Sequence, residues 1–175
     1  MVLNLTILKT QEELNDWRIQ QSTSHTINFV PTMGGLHKGH EALIKAAKTN
    51  SLNNSNSVLV SIFVNPLQFG INEDFKKYPR TLDDDCITAY NSGANALWAP
   101  EFEDIFPKGE NSHFKIKAPL NLTKYLCGAS RKKHFDGVAT VVMRLLSLVQ
   151  PKTIFLGEKD WQQLIIIRKL INDFG

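Results

Sequence analysis

Cysteine is scarce: Cys86 and Cys127 are the only two in 175 residues. That is too few for a disulfide framework or a four-ligand zinc site. No run approaches the ~20 apolar residues of a membrane span, and nothing near the start reads as a secretory signal, so a cytoplasmic location without membrane attachment is expected. Surplus charge is lacking too. Twenty Lys and Arg stand against 17 Asp and Glu, a net charge of +3, which excludes nucleic-acid binding by bulk electrostatics. An anionic small molecule remains open, because it needs only local charge.

What is present suits one ordinary domain over residues 1–175, long enough to bury roughly 70% of its unfolded surface. Thr10 begins a capping box with Glu13 and opens a polar helix to about Gln21. A strand over 26–31 leads to a helix over 40–49, and the Asn- and Ser-rich stretch 50–57 reads as a solvated loop. Residues 58–64 form a continuous apolar run, as expected of a strand covered on both faces. A helix over 82–92, a short strand over 96–99 and another over 114–117 follow. Val138, Val141, Val142, Leu145, Leu146 and Val149 repeat at helical spacing and stop before Pro151. Residues 153–156 then form a last strand, feeding a helix over 160–172. Strand and helix alternate without any internal repeat. The expected fold is therefore α/β: a Rossmann-like parallel sheet with right-handed crossovers and helices on both faces.

The most informative segment is Pro-Thr-Met-Gly-Gly-Leu-His-Lys-Gly-His, residues 31–40. Ile27, Phe29 and Val30 before it read as a buried strand, and Leu43, Ile44, Ala46 and Ala47 after it as an apolar helix face. His37 and His40 therefore fall at a helix start, where unpaired N–H groups and the positive dipole end favour an anion. Ligands of such sheets lie at the carboxyl ends of the strands. His37 and His40, Asn65 and Gln68, and residues 157–160 all follow core strands.

These ten residues resemble the turn of the pantothenate synthetase family, P-T-M-G-A-L-H-x-G-H, an instance of the H-x-G-H signature of adenylate-forming nucleotidyltransferases. Three further segments match the same family in the same order. They are V-S-I-F-V-N-P-L-Q-F-G at 60–70, Y-P-R-T-L-D-D-D at 78–85, and residues 127–164 ending in F-L-G-E-K-D-W-Q-Q-L. The resemblance implies an AMP-forming ligase that joins pantoate to β-alanine. ATP activates the pantoate carboxylate as an acyl adenylate with loss of pyrophosphate, and the β-alanine amine then displaces AMP. It also implies magnesium, a homodimer, and in some bacteria fusion to a cytidylate kinase.

Carried over residue by residue, the resemblance makes His37, His40 and Lys159 catalytic. It puts Met33, Gly34, Gly157 and Asp160 with them at ATP. Pantoate falls to Met33, Asn65, Gln68, Arg131 and Gln163, and magnesium to Asp84 and Asp85. Each has a plainer reading. The glycines, Gly34, Gly35 and Gly39 among them, serve ordinary turns, Lys159 is solvated beside Glu158, and Met33 packs in the core. Asp160 and Gln163 cap a helix, and the two aspartates complement a helix dipole. The segment R-K-K-H-F, with Arg131 and His134, carries Lys132 and Lys133 where the family has Pro-Gly. A C-terminal region with a mobile Met-Ser segment closing over the ATP phosphates, implied by the resemblance, has no match within 1–175. Two other readings stand beside this one: another H-x-G-H enzyme, such as a cytidylyltransferase or phosphopantetheine adenylyltransferase, and a binding or dimerisation module with little turnover.

Overall fold

Parallel strands covered on both faces need side chains that are apolar in both directions, and Ile27, Phe29, Val30 and residues 58–60 supply them. In the computed structural model, which describes residues 4–22, 26–50, 56–70, 73 and 75–175, the strands are Thr6–Leu8 (β1), Thr26–Thr32 (β2), Asn56–Ile62 (β3), Ala96–Trp98 (β4) and Thr153–Ile154 (β5). All pair in parallel in the order β1-β4-β3-β2-β5, with Phe29 opposite Leu59 and Ile154, and Val60 opposite Leu97. The helices are Gln11–Ser22 (α1), Lys38–Thr49 (α2), Leu82–Ser92 (α3), Phe102–Ile105 (α4), Leu120–Thr123 (α5), Leu126–Ser130 (α6), His134–Val149 (α7) and Trp161–Phe174 (α8). Among the described residues no helix is long and apolar enough to cross a membrane.

Alternation along the strands splits the core in two. Phe29, Leu59, Phe63 and Trp98 face α1, α7 and α8, meeting Leu14, Trp17, Val138, Val142 and Ile167. Val30, Val58, Val60 and Leu97 face α2 and α3, meeting Ile44, Ala47, Cys86 and Ala89. Burying each of the Val, Leu, Ile and Phe side chains among them stabilises the fold by about 1.5–3 kcal/mol. The expected capping box forms, with Thr10 Oγ1 accepting from the Glu13 N–H at 3.1 Å and Glu13 Oε2 accepting from the Thr10 N–H at 3.2 Å.

Two buried amides fix where α2 stands. Asn28 and Asn56, at the starts of β2 and β3, both donate Nδ2–H to the Ala47 carbonyl, at 2.7 and 2.9 Å. The last turn of α2 is thereby tied to the amino ends of the strands, so its first turn projects at their carboxyl ends. Asn56 and Ser57 belong to β3 and are buried rather than in a solvated loop; residues 51–55 of that expected loop lie outside the described residues. Residues 114–117 do not form the expected strand. Phe114 is 100% exposed, and the Ile116 and Ala118 N–H groups bond Thr140 Oγ1 and Asp136 Oδ1 on α7, not a neighbouring strand.

Lys133 precedes α7 at φ +66°, a left-handed conformation disfavoured by a Cβ. It occupies the place where the resembled family has glycine, the residue that fits this conformation best. Lys133→Gly should raise stability by about 0.5–1 kcal/mol, the relief of strain being partly offset by the freer unfolded chain. Chemical denaturation of the two proteins measures this, with a fall in stability counting against the strained assignment.

Candidate active site

The site begins where β2 ends. Thr32 donates its hydroxyl to the Ser61 carbonyl (2.7 Å) and accepts from the Gly34 N–H (3.2 Å). The chain reverses through Gly34 at φ +86°, where a Cβ would lie 3.1 Å from both Asp85 Oδ2 and the Ile62 side chain. Both conformation and space therefore demand glycine there. Asp85, 2% exposed in the first turn of α3, accepts from the Gly35 N–H at 3.0 Å and the Leu36 N–H at 2.6 Å. Thr81 Oγ1 donates to the same carboxylate at 3.3 Å.

His37 is the N-cap of α2. Its Nδ1 accepts from the Gly39 N–H at 3.0 Å, and His40 Nδ1 accepts from the His37 N–H at 3.3 Å, a reciprocal capping box made of imidazoles. Because each Nδ1 accepts, the neutral ring carries its proton on Nε2. Two N–H donors, on rings 4.2 Å apart, thus extend the positive end of a helix that already favours an anion. Burial first, then the neighbouring His37, holds His40 below the ordinary histidine range, against the opposite pull of Asp85 and Asp160.

The winding of the sheet reverses at β2: α2 covers one face on the way to β3, while α7 covers the other on the way to β5. The crevice beyond the carboxyl ends of β2 and β5 is where such folds take ligands. Gly157 leaves β5 there, and the following turn Glu158–Asp160 brings Asp160 near His40. Lys159, its side chain 88% exposed, lies 3.6 Å from Asp160. Asp160 makes no side-chain cap with α8, so the alternative reading of Gln163 as its capping partner is not realised. Gln163 is half-buried in the first turn of that helix, and its neighbour Gln162 does the fastening. Gln162 Nε2 donates to the Leu122 and Tyr125 carbonyls, at 2.9 and 2.8 Å, and Oε1 accepts from the Gly128 N–H at 3.3 Å.

A second cluster follows β3. Asn65, 1% exposed, caps the turn Pro66–Gln68 by accepting from the Leu67 N–H at 3.1 Å, and donates to Gln68 Oε1 at 3.1 Å and the Gly137 carbonyl at 3.2 Å. The Gln68 amide turns its Nε2 toward Met33 Sδ at 2.9 Å. Gly137 of α7 packs so closely that a Cβ there would strike the Leu67 carbonyl. His134 donates Nδ1–H to the Gln68 carbonyl at 2.8 Å while its Nε2 accepts from Arg131 Nη1 at 3.0 Å. The other edge of the Arg131 guanidinium grips Glu73, Nε to Oε1 at 2.5 Å and Nη2 to Oε2 at 2.7 Å. Sequence reasoning passed over Glu73, Gly137 and Gln162; no local pattern marks them, since each acts on a partner 34 to 72 residues away.

The Arg131 fork, expected at pantoate, is held by Glu73 in this structure. Of the two aspartates expected at magnesium, Asp84 is exposed and Asp85 holds the glycine turn with both oxygens. Among the described residues no group of three or more His, Cys, Asp or Glu side chains is gathered for a metal. A cleft of about 430 Å³ opens beyond β2, β3 and β4, bordered by Met33, Gly34, Val64, Arg80 and Glu101. It adjoins the glycine turn on the side away from β5.

The pantoate-beta-alanine ligase profile matches residues 6–175. The chain belongs to this family. It is 65% identical over 174 residues to a bifunctional pantoate ligase/cytidylate kinase of Prochlorococcus marinus, an alignment covering 99% of this chain and 33% of that protein. Among solved structures it resembles pantothenate synthetase from Thermus thermophilus, with a TM-score of 0.87 and 41% identity over 98% of this chain and 58% of that one. It also resembles pantoate-beta-alanine ligase from Francisella tularensis complexed with β-γ ATP and β-alanine, with a TM-score of 0.88 and 38% identity over 97% and 63% of the two chains. The chain thus spans about one third of the bifunctional relative's length.

Asp85→Asn puts an N–H donor against donors and should lower stability by about 1.5–3 kcal/mol, whereas exposed Asp84→Asn should change it by less than about 0.5 kcal/mol. Equal effects in denaturant unfolding would remove Asp85 as the anchor of the turn. Acid should also destabilise the fold in two stages. His40 and His134 are both held below the ordinary 6.5, in each case chiefly by burial, so the unfolded chain takes up those protons first and stability falls as pH drops below 6.5. Glu73, held down to about 2 chiefly by its hydrogen bond from Arg131, adds a further loss between its ordinary 4.5 and that value. Melting temperatures from pH 8 to about 2 should be level at first and then decline in two stages; a rise on acidification would contradict these assignments.

Proposed function

We propose that the chain forms the ATP- and pantoate-binding part of a pantoate–β-alanine ligase that works through a pantoyl adenylate. The observation that carries this reading is the reciprocal imidazole cap, which aims two Nε2–H donors past a helix N-terminus at the switch point of the sheet. His37, His40 and Lys159 are the groups proposed to meet the ATP phosphates, with Met33, Gly34, Gly157 and Asp160 shaping the nucleotide site. Magnesium would enter on the phosphates of ATP. Met33, Asn65, Gln68 and Gln163 are proposed to hold pantoate by uncharged contacts, which leave its carboxylate reactive.

A pantoate carboxylate oxygen attacks the α-phosphorus of ATP; the new P–O bond forms as the bond to the β-phosphate oxygen breaks, and pyrophosphate leaves. The β-alanine amine then attacks the acyl carbon, AMP departs, and the amine proton passes to solvent. No protein nucleophile is required. Rate enhancement comes from alignment and from donors placed where negative charge grows. His37 and Lys159 are exposed here, so exclusion of water from the acyl adenylate calls for a segment that closes over them. The C-terminal region of longer family members is the proposed source. The cytoplasm is the proposed compartment, and a homodimer the proposed assembly, on family likeness; sedimentation tests the latter.

Calorimetric titration with ATP and with pantoate, followed by AMP release with β-alanine, tests the reading. The chain should bind both ligands yet turn over far more slowly than when joined to the C-terminal region. Absence of ATP binding would overturn the proposal. His40→Gln separates fold from chemistry, since glutamine at this position can still cap the helix but offers no imidazole N–H. Stability should change by less than about 0.5 kcal/mol while adenylate formation falls roughly 100-fold or more, as when one transition-state donor is lost. Unaltered adenylation would exclude His40 as that donor.

A further inference from the structure

We infer that Glu73 is a positioning residue of the pantoate site, acting through Arg131 and His134 to fix the backbone of Gln68. The inference rests on the reading of Gln68 as a pantoate ligand. The chain of bonds is continuous. Glu73 closes its own turn, accepting from the Gly70 N–H at 3.2 Å and donating its N–H to the Gly70 carbonyl at 2.9 Å. Its carboxylate holds the Arg131 fork in a bidentate pair, a geometry that aligns the whole guanidinium plane. So oriented, Arg131 Nη1 donates to His134 Nε2. A guanidinium can only donate, so that ring nitrogen must be the acceptor. His134 is therefore neutral with its proton on Nδ1, the atom that reaches the Gln68 carbonyl at 2.8 Å.

The consequence falls on the Gln68 side chain. Its amide is pinned between Asn65 and Met33, and its direction follows from the backbone that His134 secures. His134 is 7% exposed, so a loss of register cannot be made good by solvent. The charged groups facing His134 are Arg131, Glu73 and Asp160. Arg131 is the one among these that requires the ring to accept. Displacements of about 1 Å in a substrate-positioning group cost up to about 100-fold in rate.

The same ion pair allows an opposite reading, in which Glu73 merely occupies Arg131 until a substrate carboxylate displaces it. The two differ in sign. For positioning, Glu73→Gln should weaken pantoate binding about tenfold, within the range of couplings among directly bonded residues. ATP affinity should stay within about twofold, since the histidine cap has no bond to this relay. For displacement, Glu73→Gln should tighten pantoate binding. Arg131→Lys keeps the charge but loses the fork, so it should weaken pantoate binding as Glu73→Gln does if Arg131 positions, and should largely retain it if Arg131 binds the carboxylate itself. Glu73→Asp, which keeps the carboxylate, should rescue part of the loss.

The experiment is calorimetric titration of the parent and the three variants with pantoate and with ATP. It is accompanied by nitrogen NMR of the His134 ring and hydrogen exchange of the Phe69 amide, which bonds the Pro66 carbonyl in the Gln68 turn. The expected result is weaker pantoate binding, a ring no longer held in the Nδ1–H form, and faster Phe69 exchange in Glu73→Gln and Arg131→Lys. Tighter pantoate binding, or an unchanged ring tautomer with unchanged exchange, overturns the inference. Should the parent bind ATP but not pantoate, the substrate reading of the site fails by itself. The ring and exchange measurements then still decide whether Glu73 positions Gln68.

Discussion

The buried carboxylate of Asp85 is the constraint on which the rest of the site depends. A tight turn through Gly34 and Gly35 points its N–H groups away from any strand or helix ladder, and unpaired donors at that depth would be costly. Asp85 accepts two of them from the first turn of α3, where the helix dipole also favours its charge. One residue therefore joins the start of α3 to the start of α2 across a face of the sheet. The imidazole cap is assembled on the frame so formed. Asn28 and Asn56 hold the opposite end of α2 with comparable economy, so the helix is fixed at both ends by buried polar side chains rather than by apolar packing alone.

Much of this was legible in the sequence, and the parts that were not share a physical reason. The bounds of α3 and the placing of both histidines at the start of α2 follow from local patterns: apolar spacing, a glycine turn, acidic residues at a helix start. The identity of the family was likewise readable from motif order. β1 was missed because it is a three-residue edge strand that buries one side chain, Leu8, and the short helices α4 to α6 are below the length at which periodicity can speak. Residues 114–117 look extended and are, yet strand pairing is a property of neighbours, and their neighbour is a helix. The same limit applies to the site. The contacts that Asp85 and Arg131 make were not legible, since the partners of Asp85 lie some 50 residues earlier and Glu73 lies 58 residues from Arg131.

The family profile spans the chain's described fold nearly from end to end. Residues 6–175 hold the sheet, the switch-point crevice and the clusters after β2, β3 and β5. What they leave open is the solvent side of His37 and Lys159. On the proposed function, a site built on rigid strand ends with cover supplied from elsewhere would separate ligand selection from protection of the reactive intermediate, the first nearly preformed and the second obliged to move so that ATP enters and AMP leaves.

Gly137 bears on how such a protein can change over generations. Where most helices meet a neighbour through interlocking side chains, α7 meets the Leu67 carbonyl with backbone alone, and nothing larger than hydrogen fits between them. The depth of the Gln68 turn is thus set by the spacing of two main chains, a quantity that no choice of side chain at this position can adjust. Enlarging or narrowing the neighbouring pocket is left to residues that border it from other directions, Met33 among them. Selection for a new substrate would therefore find this wall closed to gradual remodelling and would act on the facing side instead.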